Sequence, residues 1–201
     1  RGVKSQLRPH LLDALLVCAS HLSETGNKDR ALAVYRELNL PGEPVPVRSA
    51  ALRGIVHADP ANASELIVNT LKSKEVDLHP AVVQLVREIS NIEQVRTIAR
   101  TYQGLPPAYQ AQLVASLSNR RDAALQKIVT SAVSSKDQHV LSAALRSLGN
   151  MGDATVVPLL ARAAASSKGA EQKDARNSLN ELNAQGTEEA LLQLIKAGDS
   201  K

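Results

Sequence analysis

The chain has 201 residues, enough for one domain or two small ones with a substantial core, and its 43% hydrophobic content excludes wholesale disorder. It has no Trp, no Phe, three Tyr and one Cys, which argues against a β-sandwich and an aromatic base-stacking platform and excludes an intrachain disulfide or a cysteine zinc cluster. The formal net charge of +4 is mildly basic and interspersed, and no apolar run approaches the ~18 residues of a membrane span.

From the N-terminus, Leu11, Leu12, Leu15, Leu16, Ala19 and Leu22 recur at helical spacing and predict an amphipathic helix. Gly26-Asn27 is the expected turn, and Ala31, Leu32, Val34, Tyr35 and Leu38 predict a second helix. Residues 1–40 therefore read as an atypical terminal hairpin, with Cys18 expected as a small buried hydrophobe. The chain opens at Arg1 without a leader pattern, so it is expected to be a piece of a longer protein. Cysteine usage leaves both cytoplasm and periplasm open.

Pro41, Pro44 and Pro46 break the pattern before an internal repeat begins. Val47 to Ile55 and Val140 to Leu148 are identical at six of nine positions, both containing Ser-Ala-Ala-Leu-Arg. Weaker copies follow Leu85, Leu113 and Ser178. Anchoring on Leu52, Val86, Val114, Leu145 and Leu179 gives spacings of 34, 28, 31 and 34 residues. That period suits a two-helix solenoid unit, in which each repeat buries its apolar face on its neighbours.

Each copy is followed by a polar break and a second helical pattern. Asp59 is the expected N-cap before Leu66, Ile67, Thr70 and Leu71, with Pro60 at the first helical position. Ser90-Asn91 precedes Val95, Ile98, Ala99 and Tyr102. Gly149 to Asp153 reads as a turn before Val156, Val157, Leu160 and Ala164. Gly186 is expected to end one helix and Thr187 to cap the next, before Leu191, Leu194 and Ile195. Pro80, Pro106 and Pro107 fall at helix starts. Ala50, Ala51, Ala111, Ala143, Ala144 and Ala163 are expected where helices approach closely. The fold class is all-α, an α-solenoid of about six antiparallel helix hairpins in one domain over residues 1–201. Residues 46–201 supply about five of the hairpins.

Ala143 to Asp153, reading Ala-Ala-Leu-Arg-Ser-Leu-Gly-Asn-Met-Gly-Asp, resembles a HEAT repeat of the bacterial, PBS-lyase-like type, and Val47 to Asp59 resembles a degenerate copy. The first hairpin is similar to a tetratricopeptide unit without its usual Trp. The resemblance implies a right-handed armadillo-like superhelix and no single function, because function lives in sites carried by a fold.

None of His10, His21, His57, His79 and His139 forms a pair at metal-ligand spacing; most sit at predicted helix starts or turns, and they read as solvated residues. The His-Glu dipeptides of di-iron HEAT-like enzymes are absent, as are a phosphate-binding glycine loop and a nucleophile elbow. No bilin-lyase motif and no aromatic–acid set of HEAT-like DNA glycosylases is visible. The expectation is a protein that is not an enzyme and takes no cofactor or metal.

The resemblance implies that second helices line a concave face. Its exposed cations are Lys72, Arg96, Arg100, Lys127, Arg162 and Lys196, with Arg100, Arg162 and Lys196 each two residues beyond an apolar anchor. They form a candidate basic ladder for an acidic partner. The competing explanation is the helix dipole, which draws cations to helix C-termini and explains why Glu65, Glu93, Asp122, Glu188 and Glu189 fall in first turns. The functional expectation is a non-catalytic scaffold that binds a partner protein or a neighbouring domain of its own chain. The alternative is a nucleic-acid-binding solenoid using the same ladder, whose binding would fall steeply with salt.

Overall fold

The computed structural model describes residues 2–198, with side chains from Leu7 to Ala197. The described residues form twelve α-helices and five 3₁₀ turns and contain no strand. Contacts divide the chain into two compact units, Arg1–Ile98 and Ala99–Lys201.

The first unit contains α1 (Gly2–Glu24), α2 (Lys28–Leu38), α3 (Val45–Ala58), α4 (Ala63–Lys72), α5 (His79–Leu85) and all but the last residue of α6 (Ile92–Ala99). The α1–α2 turn is built as anticipated. Gly26 takes φ +86°, a left-handed conformation that glycine adopts without a Cβ penalty. The amides of Gly26 and Asn27 donate back to the carbonyls of Ser23 and Leu22, closing α1 with a Schellman cap. Leu12 and Ala19 of α1 pack against Ala31, Tyr35 and Leu38 of α2 and against Val47 and Ala51 of α3.

The other face of α1 differs from the expectation. Leu11 and Leu15 are exposed, and Cys18 is exposed rather than buried. α1 packs against α2 and α3, and its six apolar positions span more of the helix than those contacts cover. Ala50 is likewise exposed, one residue from the fully buried Ala51.

Repeat identity becomes packing at Arg53, whose guanidinium meets Glu88 at 3.2 Å, while His57 Nε2 lies 2.6 Å from the other Glu88 oxygen. Arg48 is buried. It grips Glu75 through two nitrogens at 2.7 and 2.8 Å and donates to the Asn39 carbonyl at 3.1 Å. Asp59 does not cap α4. Its carboxylate accepts from the Asn62 amide, and a 3₁₀ turn, Pro60–Asn62, leads into the helix. His79 is buried at the start of α5, contrary to its reading as solvated.

The second unit contains α7 (Pro107–Leu117), α8 (Ala123–Ala132), α9 (Gln138–Met151), α10 (Val157–Ser166), α11 (Gly169–Glu181) and α12 (Thr187–Gly198). α9 packs against both α7 and α11, so the first helices of three hairpins form a row. Buried serines stitch that row. Ser147 donates to the Val114 carbonyl at 3.2 Å, and Ser178 donates to the Leu145 carbonyl at 2.8 Å. Donors and acceptors are each 31 residues apart, so the period of this unit is 31.

That period corrects the last spacing of 34. Leu145 is equivalent to Arg176, and Leu148 to Leu179. Leu113, Ala144 and Ala175 occupy one fully buried position, and Ser116, Ser147 and Ser178 another. Gly149 lies inside α9 rather than in a turn, and a Cβ there would meet the Ser178 backbone at 2.7 Å. Its purpose is close approach of α9 and α11. At the last turn, Gly186 has φ +84° and its carbonyl accepts from Ala190, so Gly186 rather than Thr187 holds the capping position.

Candidate functional site

Second helices place the cations. Lys72 is exposed in the last turn of α4, and Arg96 is half-buried in the last turn of α6, where it pairs with Glu93 one turn earlier. Both belong to the first unit, and for both the helix dipole accounts for the position. Arg100, Lys127, Arg162 and Lys196 belong to the second unit and are all exposed. Arg100 lies just beyond α6, outside any helix, and Lys196 is in the last turn of α12.

Lys127 and Arg162 stand apart. Each sits in the middle of its helix, α8 or α10, where the dipole gives a cation no preference. Among the described residues no carboxylate pairs with either, whereas Arg8, Arg48, Arg53 and Arg146 all meet acids. Arg146 packs in the same way as Arg53, reaching Asp174 on the next first helix.

The 31-residue register leaves Arg100 and Arg162 two periods apart and revises the expected equivalence of Lys196 with them. Buried Leu125, Val156 in the 3₁₀ turn that leads into α10, and Thr187 fall on one register, as do buried Val129 and Leu160 and half-buried Leu191. On that register Arg162 matches Ser131, and Lys196 lies nearly a turn further along. Lys127, Arg162 and Lys196 thus occupy i, i+4 and i+7 positions of one helix face. The ladder rises diagonally, about one turn per hairpin.

The face is held firmly. Asp122 accepts from the amides of Ala124 and Leu125 to cap α8. Gln126 donates to the Asp153 carboxylate at 3.0 Å and accepts from the Asp153 amide at 3.2 Å, locking α8 to the turn that starts α10. Hydrogen bonds from Thr155 and Gln126 hold the Asp153 carboxyl below the usual range. Beside this clasp, between α8, α9 and α10, lies a cleft of about 460 Å³ whose lining includes Arg162 and no carboxylate.

The first unit carries a different cluster, which the sequence reading did not single out. Arg53 and His57, one turn apart on α3, converge on Glu88 at the rim of a cleft of about 370 Å³. Their i, i+4 spacing was visible in sequence, but Glu88 is more than thirty residues away and only tertiary packing brings it there. Burial raises the phenols of Tyr35 and Tyr102. Among the described residues, no group of three or more His, Cys, Asp and Glu side chains is placed to hold a metal ion. None of the described helices is long and apolar enough to cross a membrane.

Paired helices, inter-hairpin serine bonds and a fixed period define an all-α solenoid. Residues 98–180, which hold two of these hairpins and most of α11, match the family model described as HEAT repeats. No curated protein matches the chain.

Proposed function

We propose that this protein is a non-catalytic interaction scaffold whose second unit offers the exposed face of α8, α10 and α12 to a partner protein or to a neighbouring domain of its own chain. The observation that carries the reading is the pair Lys127 and Arg162, mid-helix cations that neither the dipole nor an ion pair explains. An exposed cation answered by nothing inside the molecule is available to an acidic partner outside it. HEAT repeats commonly serve as protein-interaction scaffolds, which supports the same reading. Within it, Ala143 to Asp153 stands as a repeat of the PBS-lyase-like type, and the first hairpin as a tetratricopeptide-like start. Arg100 and Lys196 would extend the basic surface of the second unit, and Lys72 and Arg96 are the candidate cations of the first.

The test is affinity capture from lysate of the source organism, with and without nuclease, comparing the unaltered chain with a Lys127→Glu, Arg162→Glu double variant of unchanged circular dichroism. A protein retained by the unaltered chain and lost from the variant supports the scaffold reading. Equal recovery on both overturns the role of this face. Recovery that vanishes on nuclease treatment moves nucleic acid to the front.

A further inference from the structure

We infer that the cleft between α8, α9 and α10 is the specific docking point on this face, and that it takes a short acidic segment of a partner protein carrying one apolar side chain beside a carboxylate. The inference rests on the scaffold reading and names the partner's chemistry. The cleft joins two hairpins, with Ser134 beyond the end of α8, Leu141 on α9, and Pro158, Leu159 and Arg162 on α10. Its volume of about 460 Å³ lies within the ~300–1,000 Å³ of sites that enclose small groups.

The lining divides by chemistry. Leu141 and Leu159, both half-buried, and Pro158 present an apolar floor that a partner's aliphatic side chain would cover. Arg162 is the charged residue of the lining, and its planar guanidinium matches a carboxylate through two parallel hydrogen bonds. Exposed Lys136 and Lys168 lie in the loops that follow the lining residues Ser134 and Ser167. The nearby acids are engaged elsewhere: Asp137 caps α9, and Asp153 is held by Thr155 and Gln126.

The hydroxyls divide in the same way. Ser166 donates to the Arg162 carbonyl, and Thr155 to Asp153. Among the described residues, no hydrogen bond engages the side chains of Ser134 or Ser167, which leaves two donors for a peptide main chain. A nucleic-acid occupant fits less well. The lining has a single cation and no aromatic ring, whereas a strand needs a run of phosphate contacts and a stacking surface.

The experiment is selection of random dodecapeptides displayed on phage against the full chain, followed by fluorescence anisotropy of the enriched peptides. The proteins compared are the unaltered chain, Arg162→Glu, Arg162→Lys, Lys127→Glu on the same face outside the cleft lining and, as a control in the other unit, Lys72→Glu. The expected result is enrichment of sequences with Asp or Glu close to a Leu, Ile, Met or Phe. Affinity should fall about tenfold or more in Arg162→Glu, fall less in Arg162→Lys, and stay unchanged in Lys72→Glu. Enriched peptides without acidic residues, or binding unaffected by Arg162→Glu, overturn the inference. Peptides that bind but lose affinity only in Lys127→Glu leave the scaffold face standing and remove the cleft. A selection that returns no binder also removes the cleft, and the lysate capture then decides the scaffold reading alone.

Discussion

Replacing Gly149 by alanine sets two opposed effects against each other, and the geometry decides the sign. Alanine is preferred over glycine inside a helix by up to about 1 kcal/mol, and Gly149 lies within α9. The added Cβ, however, would stand 2.7 Å from Ser178 Cα and 2.8 Å from Ser178 Cβ, where carbon atoms normally pack at ~3.5–4.0 Å. The clash is with backbone, so no rotamer relieves it, and α9 and α11 must part by about 1 Å. Overpacking of this kind costs about 1–3 kcal/mol. The separation also stretches the 2.8 Å bond from Ser178 to the Leu145 carbonyl, a further loss of about 1 kcal/mol. The net expectation is a destabilisation of about 1–3 kcal/mol, or several degrees in melting temperature at ~2–4 °C per kcal/mol for a chain of this size. Thermal circular dichroism measures it, and hydrogen exchange should locate the loss in α9 and α11. Gly104→Ala is the control, because no atom lies within 4 Å of its Cβ and its φ is not positive, so it should be near neutral. A Gly149→Ala protein that melts at or above the unaltered one would refute the close-approach argument.

Other consequences follow from single contacts. Ser178→Ala removes the donor to Leu145 and should cost about 1 kcal/mol in chemical denaturation, with Ser147→Ala similar through Val114. Arg48→Ala strands the Asn39 carbonyl and releases Glu75, and should cost about 1–3 kcal/mol in urea titration. Asp153→Asn tests linkage. The folded carboxyl is held down chiefly by its hydrogen bond from Thr155, so the stability it contributes is complete above the unfolded value near 3.9 and is lost as pH falls through the lower folded value. The stability gap between the unaltered chain and Asp153→Asn should therefore be full at neutral pH and close below about pH 4 in pH-resolved denaturation.

Much of the fold was readable because the repeat states the same physical problem several times. The apolar positions at Leu52, Leu113, Leu145 and Leu160 recur at helical spacing and are all buried, since a helix must hide its stripe wherever it packs. Lys72, Lys127, Arg162 and Lys196 were legible as exposed second-helix positions, whereas Arg96 is half-buried and Arg100 lies beyond its helix. Their pairing was not, because Arg146 finding Asp174, Arg53 finding Glu88, and Arg162 finding no acid depend on residues brought from other hairpins. The cleft was invisible for the same reason, since its walls come from three helices.

What the sequence determined by itself was the all-α class, the hairpin alternation and the core residues, because helical periodicity, proline and left-handed glycine act locally. The tertiary structure alone decided three things: the 31-residue register of the second unit, the diagonal path of Lys127, Arg162 and Lys196, and the outward face of Leu11, Leu15 and Cys18. Register depends on which carbonyl a buried serine reaches across a helix interface, and exposure depends on whether a neighbouring helix covers the stripe. Both are properties of packing between hairpins, and no single helix encodes them.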